Sequence, residues 1–155
     1  MTFIKIFNKN EKREIMNKLN KQFGIKKVEG ILLKRGAERI FLFEGDLKEK
    51  EIKKLEYSRI NIERVGVYFG KLQNNEIRLS IEGVHLLKDQ ITKNIFRINE
   101  EQKEEWMKGH ELNIKSEKKG FLVIKYKDDF LGCGKASSEK ISNFIPKNRR
   151  LKEKN

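Results

Sequence analysis

Two apolar runs near the carboxyl end set the strongest limit on what this chain can fold into. Residues 120–126 (GFLVIKY) and 130–136 (FLGCGKA) are separated by Lys-Asp-Asp at 127–129. Short apolar runs on either side of a polar, turn-forming interval predict a β-hairpin. A hairpin is stable only when further strands or a helix cover its apolar side chains. This end of the chain is therefore expected to belong to a β-rich folded unit.

The residues before this hairpin supply candidates for those partners. Residues 95–98 (IFRI) and 112–114 (LNI) predict two short strands. Between them, Asn99 begins a helix as its N-cap, with Gln102 three residues later in a capping-box pattern, and Gly109 ends it. Several short strands and one helix within about 60 residues are typical of a small, partly closed β-barrel.

The first half of the chain has an α/β pattern. Asn10 is the predicted N-cap of a helix that Gly24 ends, and apolar residues recur at helical spacing at Ile15, Met16, Leu19 and Phe23. The remaining predicted elements are a hairpin over 31–43, a charged helix over 47–57, strands over 65–70 and 77–80 around a turn at 73–75, and a short helix holding Val84, Leu86 and Leu87.

Together the two blocks predict an α+β fold with domains at residues 1–90 and 93–155. The segment between them, residues 87–93, contains no Pro, Gly or Ser, the residues that are enriched in flexible linkers. We therefore expect the two blocks to pack together. The change of pattern near residue 93 also predicts that the second block folds without the first.

The charge of the chain favours a polyanionic partner. Lys plus Arg total 36 against 23 Asp plus Glu, which gives a net charge of +13 and a pI near 9.8. Residues 1–92 carry 20 basic and 13 acidic residues, and residues 93–155 carry 16 and 10. Such a field attracts nucleic acid or an anionic membrane surface. The alternative is a soluble, Lys-rich protein from a hot or AT-rich organism, because abundant Lys and Glu with little Gln is typical of hyperthermophile proteins.

Several classes of protein are excluded by simple counts. No run of about 18 apolar residues is present, so we expect no transmembrane helix and no membrane partner. The first residues, MTFIK, lack the apolar core of a signal peptide. The single cysteine, Cys133, has no partner for an internal disulfide. These features predict a cytoplasmic protein.

The carboxyl end joins a Gly-x-Gly-Lys strand to a dense basic segment. Seven of the residues from 133 to 155 are Lys or Arg, and two are acidic. Lys and Arg displace phosphate counterions, and glycine lets a nucleic-acid backbone come close. The candidate binding residues are Gly132, Gly134, Lys135, Lys147, Arg149 and Arg150. The alternatives are a strand bend at the glycines and a solvated basic tail, with the binding surface at Lys34, Arg35 and Arg39 instead.

The same segment resembles the end of PUA domains, RNA-binding modules named for pseudouridine synthases and archaeosine transglycosylases. The likeness is greatest to the C-terminal segment of the Fmu/Sun/Nop family of RNA cytosine methyltransferases, where a Gly-x-Gly-Lys strand precedes a Lys-Asn pair, Pro-Lys and an Arg. Here Lys140 and Asn143 stand two residues further apart than in that pair, and Pro146-Lys147 and Arg149-Arg150 follow. The resemblance implies that Lys140 and Asn143 also contact RNA.

The first block has a likeness of its own. Residues 65–71 (VGVYFGK) and 77–80 (IRLS) look like the pre-PUA domain of Nip-type ribosome-biogenesis factors. The two resemblances imply a pre-PUA domain followed by a PUA barrel that binds ribosomal RNA or its precursor. Ribosome-assembly proteins or a separate RNA methyltransferase are the implied partners. The Rossmann-like domain of those methyltransferases has no counterpart here, so we expect the RNA-binding portion alone.

The sequence does not predict a catalytic, cofactor or metal site. Residues 132–135 (GCGK) do not form a phosphate loop, because that motif needs glycine at position 129 and Ser or Thr at 136, where this chain has Asp129 and Ala136. Cys133 has no histidine near it in sequence, and Asp128 and Asp129 are normal turn residues. We therefore expect a non-enzymatic RNA-binding protein. The alternatives are a small RNA-modifying enzyme and a protein-interaction adaptor.

Overall fold

A computed structural model of the chain describes residues 4–43 and 66–152. Within those ranges there are three helices and nine strands in two sheets. The helices are α1 (Lys9–Phe23), α2 (Ile81–Leu87) and α3 (Glu100–Met107). The α+β fold class is confirmed. The helix predicted over 47–57 lies outside the described residues.

The amino-terminal sheet is an antiparallel meander. Its strands lie in the order β1 (Ile4–Ile6), β2 (Ile31–Arg35), β3 (Arg39–Phe43), β4 (Val67–Gln73) and β5 (Glu76–Leu79). The turn between β4 and β5 is formed by Asn74 and Asn75, which both adopt positive φ, of 53° and 63°. Two consecutive residues at positive φ match the right-handed twist of the flanking strands, and asparagine tolerates this conformation well.

The carboxyl-terminal sheet contains β6 (Ile95–Arg97), β7 (Gly120–Tyr126), β8 (Asp129–Ala136) and β9 (Ile141–Asn143), in that order. Strand β6 runs parallel to β7, and α3 lies between β6 and β7 in the chain. The β7–β8 and β8–β9 pairs are antiparallel. The predicted hairpin over 120–136 is confirmed. Leu112 adds one bridge to Ile141 of β9, which is consistent with a partly closed barrel.

Three local predictions need correction. Asn8, not Asn10, is the N-cap of α1, because its side chain accepts from the Glu11 amide and the Glu11 carboxylate accepts from the Asn8 amide. Leu112 makes a single bridge and no strand, because the Ile114 amide turns back to the Leu112 carbonyl at 3.0 Å. Leu86 is 46 % exposed, since α2 turns Val84 and Leu87 towards the core instead.

One hydrophobic core joins the two sheets. Strands β7 and β8 contribute Phe121, Val123, Phe130 and Cys133 to the same cluster as the inward side chains of α1 and of the amino-terminal sheet. On its other face the carboxyl-terminal sheet packs against Trp106 of α3 in a second cluster. The division into domains at 1–90 and 93–155 stays a prediction, and the two blocks share buried apolar surface.

The segment between the blocks is bound to the end of α1. The Thr92 amide donates to the Phe23 carbonyl at 2.8 Å, and the Gln90 side chain bonds to the backbone of Lys26 and Lys27. Gly24 ends α1 with φ 78°, as predicted, and lies against Thr92. None of the helices in the described ranges combines the length and apolar character that crossing a bilayer requires.

Candidate nucleic-acid interface

The two glycines of the Gly-x-Gly-Lys strand are buried, and the fold accounts for Gly134 by close packing and for Gly132 by its backbone conformation. A Cβ atom at Gly134 would lie 2.7 Å from the Trp106 ring and 2.7 Å from Ile141 Cγ2. Gly132 has φ +95°, a conformation that favours glycine. The Trp106 indole donates to the Leu131 carbonyl at 3.0 Å, so the tryptophan is fixed against β8. Gly134 allows this close approach of α3 to the strand.

Asn143 makes hydrogen bonds within the fold. Its Nδ2 donates to the carbonyls of Trp106 and His110 at 2.8 and 3.1 Å, and its Oδ1 accepts from the Ile145 amide at 2.8 Å. These bonds tie β9 to the carboxyl end of α3. Its predicted contact with RNA stays a prediction, and the amide already has a structural role.

Lys135 and Lys140 lie on β8 and in the turn after it. The Lys140 ammonium forms an ion pair with Glu111 at 2.9 Å. Lys135 is half-buried, and its ammonium lies 5.7 Å from the centre of the Phe121 ring. That geometry allows a cation–π interaction.

The basic segment after β9 is folded onto the protein. Pro146 is followed by a single 3-10 turn, Lys147–Arg149. The Arg149 guanidinium is paired with the Glu82 carboxylate of α2. Arg150 lies over Gly109, and its Nε donates to the Ile145 carbonyl at 2.9 Å. Lys147 is exposed, and within the described part of the chain its ammonium has no ion-pair or hydrogen-bond partner.

A cleft separates this basic segment from the amino-terminal sheet. Arg78 of β5 lines it, with its guanidinium 4.3 Å from the centre of the Phe144 ring. Phe144 in turn lies 6.2 Å from Phe121, centre to centre. The other lining residues include Tyr68, Ser80, Glu82, Gly132, Pro146 and Arg149. Sequence reasoning missed Arg78 and Tyr68, because the cleft forms only when segments from both halves of the chain pack together.

The basic hairpin at β2 and β3 is divided between two faces of its sheet. Lys34 lies on the face of Leu32 and Ile40, which packs into the main core, whereas Arg35 and Arg39 lie on the opposite face. Adjacent strand residues point to opposite sides. The three cations therefore do not form one patch. The alternative binding surface at Lys34, Arg35 and Arg39 is divided between the two faces of the sheet.

The thiol and imidazole groups considered for catalysis lie on different elements of the fold. Burial raises the pKa of the Cys133 thiol to about 12, so the thiolate is disfavoured at neutral pH. His110 lies 2.5 Å from Glu105 at the end of α3, and its hydrogen bond is the main cause of the lowered pKa of that carboxyl. Among the described residues there is no cluster of three metal-ligating side chains. Asp128 lies in the β7–β8 turn and Asp129 begins β8.

Comparison with known proteins supports the resemblance predicted for the second block. A family model described as the methyltransferase RsmF PUA domain matches residues 93–151. The match supports a PUA domain at residues 93–151, similar to that of this methyltransferase family. Four of the eight candidate RNA-binding residues lie on β8 and β9, and the other four lie in the segments that follow these two strands. The resemblance to the C-terminal region of the Fmu/Sun family is confirmed.

A curated relative extends the similarity beyond the PUA domain. It is the ribosomal RNA small subunit methyltransferase F of Psychromonas ingrahamii, 28 % identical over 128 residues. That alignment covers 81 % of this chain and 26 % of the relative, so the chain spans about a quarter of the relative's length. Since only 63 residues lie from position 93 to position 155, the similarity must include part of the first block. The likeness of that block to a Nip-type pre-PUA domain stays a prediction.

Proposed function

We propose that this chain is a non-catalytic RNA-binding protein that acts in the modification of ribosomal RNA or in ribosome biogenesis. The observation that carries the proposal is the PUA domain at residues 93–151, with a basic segment folded onto its surface. Such a unit recognises structured RNA by its shape and phosphates, with few base contacts at a loop or an end.

The exposed cations of the carboxyl-terminal segment are the proposed phosphate contacts. Lys147 and Arg149 lie on one 3-10 turn, and both are exposed. Lys135 lies on β8, two strands from the edge formed by β6. Lysine binds phosphate as a point charge, whereas arginine can bind it with two parallel hydrogen bonds. Arg150 acts mainly through its bond to the Ile145 carbonyl, which holds the segment in place.

Ribosomal RNA is the proposed target, and the proposed partners are a separately encoded RNA methyltransferase or ribosome-assembly proteins. The similarity to a protein named ribosomal RNA small subunit methyltransferase F supports this choice. A PUA domain adds RNA affinity to whatever catalytic unit it accompanies. In this proposal the chain binds the RNA, and the partner enzyme catalyses the modification.

Two other functions remain as alternatives. An RNA-modifying enzyme would need an activated nucleophile or base, and the raised pKa of buried Cys133 does not support one at that position. A protein-interaction adaptor would use the positive charge only incidentally. Its affinity for RNA would then not depend on the cations of the PUA domain, and this difference separates the adaptor from the proposed function.

The test compares two triple variants that remove the same charge. In the first, Lys135, Lys147 and Arg149 are changed to Gln, and Arg150 is kept because it anchors the segment. In the control, three exposed cations on the outer side of α1 are changed to Gln: Lys9, Arg13 and Lys21. A labelled stem-loop RNA is titrated at several salt concentrations, with circular dichroism as the measure of folding.

We expect the first variant to bind at least tenfold more weakly and to flatten the slope of log K against log salt by about two. The α1 variant should keep the parental slope. Equal effects of the two variants would mean that net charge alone governs binding, and the PUA surface would be rejected as the RNA site.

A further inference from the structure

The pairing of the amino-terminal sheet brings four cations into one row. Arg35 of β2 lies opposite Arg39 of β3, Arg39 lies opposite Lys71 of β4, and Lys71 lies opposite Arg78 of β5. Arg35 and Arg39 belong to the β2–β3 hairpin, and Lys71 and Arg78 belong to the β4–β5 hairpin. We define them as the cross-strand row.

All four side chains leave the same face of the sheet. Directly paired residues of antiparallel strands point to the same side, and this is the side of Phe41 and Tyr68, opposite the main core. With about 4.8 Å between neighbouring strands, the row is about 14 Å long. The bulge between Ile40 and Phe41 shifts the register so that Lys71 falls in line with Arg39.

A row of like charges is unfavourable for the fold by itself, because cations directly opposite one another repel. The Glu38 carboxylate, 3.3 Å from Lys71, offsets part of the repulsion. Two of the guanidinium groups are held over aromatic rings: Arg39 at 5.9 Å from the centre of Tyr68, and Arg78 at 4.3 Å from that of Phe144. The row is therefore positioned in advance, as a site for a chain of negative charges requires.

Both ends of the row open into concave surface. At the β2–β3 end a groove of about 340 Å³ is lined by Arg35, Ala37, Glu38, Arg39 and Lys71. At the other end, Arg78 also lines the cleft that holds Phe144, Pro146 and Arg149. The row thus continues, through Arg78, to the basic segment of the PUA domain.

We propose that the cross-strand row is a phosphate track for a single-stranded extension of the RNA that the PUA domain binds. The inference rests on the proposed function, because it takes the bound polyanion to be RNA. An RNA strand suits the row, since its phosphates repeat regularly and each can meet one cation. The cleft beside Arg78 is the passage between the two surfaces.

The test uses a pair of double variants matched in charge and location. R39Q/K71Q removes the centre of the row. K5Q/K34Q is the control: Lys5 and Lys34 lie directly opposite each other on the other face of the same sheet, and Lys5, like Lys71, has one ion pair, with Glu11. The probes are one RNA stem-loop alone and the same stem-loop with ten uridines at its 3′ end or at its 5′ end.

The parent should bind one extended probe more tightly than the stem-loop. R39Q/K71Q should abolish that gain and flatten the salt slope for the extended probe by about 1.4, from two single-strand contacts at about 0.7 each. It should leave the stem-loop affinity unchanged and the melting temperature equal or higher, because repulsion is removed. K5Q/K34Q should behave as the parent.

Three results would overturn the track. The first is that R39Q/K71Q and the parent bind the extended probes with equal affinity. The second is that R39Q/K71Q loses affinity equally for all three probes. The third is that R39Q/K71Q changes the affinity for poly-glutamate but not for RNA. The K135Q/K147Q/R149Q variant separates the track from the proposed function. If that variant binds the stem-loop normally while R39Q/K71Q loses only the extension, the PUA surface is wrong and the track stands.

Discussion

At the scale of single residues, several positions that resemble an RNA-binding motif are explained by packing. Gly134 is small because Trp106 and Ile141 lie against it, and Asn143 holds β9 to α3 with three hydrogen bonds. A motif in sequence does not separate these structural positions from the exposed Lys147. The separation requires knowledge of which side chains α3 brings to β8.

The Gly134→Ala variant tests this reading of the motif. The added methyl would meet the Trp106 ring, Ile141 and the Ser142 carbonyl, all within 2.9 Å, so we expect the free energy of unfolding to fall by about 1–3 kcal/mol. Urea denaturation measures it. RNA affinity of the folded fraction should not change. Unaltered stability combined with weaker RNA binding would instead place Gly134 in the interface.

Cys133 gives a prediction about alkaline pH. Burial raises the pKa of its thiol from 9.0 to about 12, so above pH 9 the thiol ionises in the unfolded chain and stays protonated in the folded one. The stabilisation that comes from keeping this thiol protonated in the folded state is complete below pH 9 and is lost as the pH rises towards 12. Between these pH values the free energy of unfolding of the parent should fall by about 1.4 kcal/mol per pH unit more than that of Cys133→Ala.

Urea denaturation of both proteins at pH 8, 9.5 and 10.5 checks this prediction. The comparison cancels the titration of tyrosine and lysine, which the two proteins share. Parallel curves for parent and variant would show that the thiol is not shielded from solvent.

At the scale of elements, the contact between α2 and the carboxyl-terminal segment sets how the basic turn is presented. The Glu82 carboxylate of α2 pairs with Arg149, and under the proposed function it would compete with an RNA phosphate for that guanidinium. An exposed ion pair of this kind is worth up to about 1 kcal/mol. Its removal should therefore make Arg149 more available to RNA.

Glu82→Gln is expected to bind the stem-loop about two- to fivefold more tightly than the parent. Glu14→Gln is the control, because Glu14 is exposed on α1 and its removal changes the net charge equally. The titration is carried out at one low salt concentration. The competition between Glu82 and phosphate would be refuted by an equal gain in both variants.

Much of the element order could be predicted from sequence, and the site only in part. The β7–β8 hairpin, the capping box of α3 and the Gly24 cap follow from local patterns, and each is present. The cross-strand row and the Arg78–Phe144 contact depend on register and on the packing of distant segments. One bulge at Ile40 decides which cations line up, and no local pattern indicated it.

At the scale of the whole molecule, the two blocks depend on a common core. Phe121, Val123, Phe130 and Cys133 of the PUA domain are buried against the amino-terminal block. The sequence pattern predicted that the second block folds alone. The shared core leads us to expect the opposite, because removal of the first block would expose these four side chains to water.

A fragment of residues 88–155 should therefore be aggregated or much less stable than the full chain. Each large apolar side chain left uncovered removes about 1.5–3 kcal/mol of stabilisation. Size-exclusion chromatography and thermal denaturation of the fragment test this expectation. A monomeric fragment that melts cooperatively at the parental temperature would show that the first block is not needed for folding.

The proposed function requires the PUA domain to bind ribosomal RNA through its carboxyl-terminal cations. The most direct measurement is ultraviolet crosslinking of the full chain to purified small-subunit ribosomal RNA, with the crosslinked peptides identified by mass spectrometry. We predict crosslinks within residues 135–150, suppressed by high salt and absent from the K135Q/K147Q/R149Q variant. Crosslinks confined to other parts of the chain, or none above those of a control protein of equal charge, would contradict it.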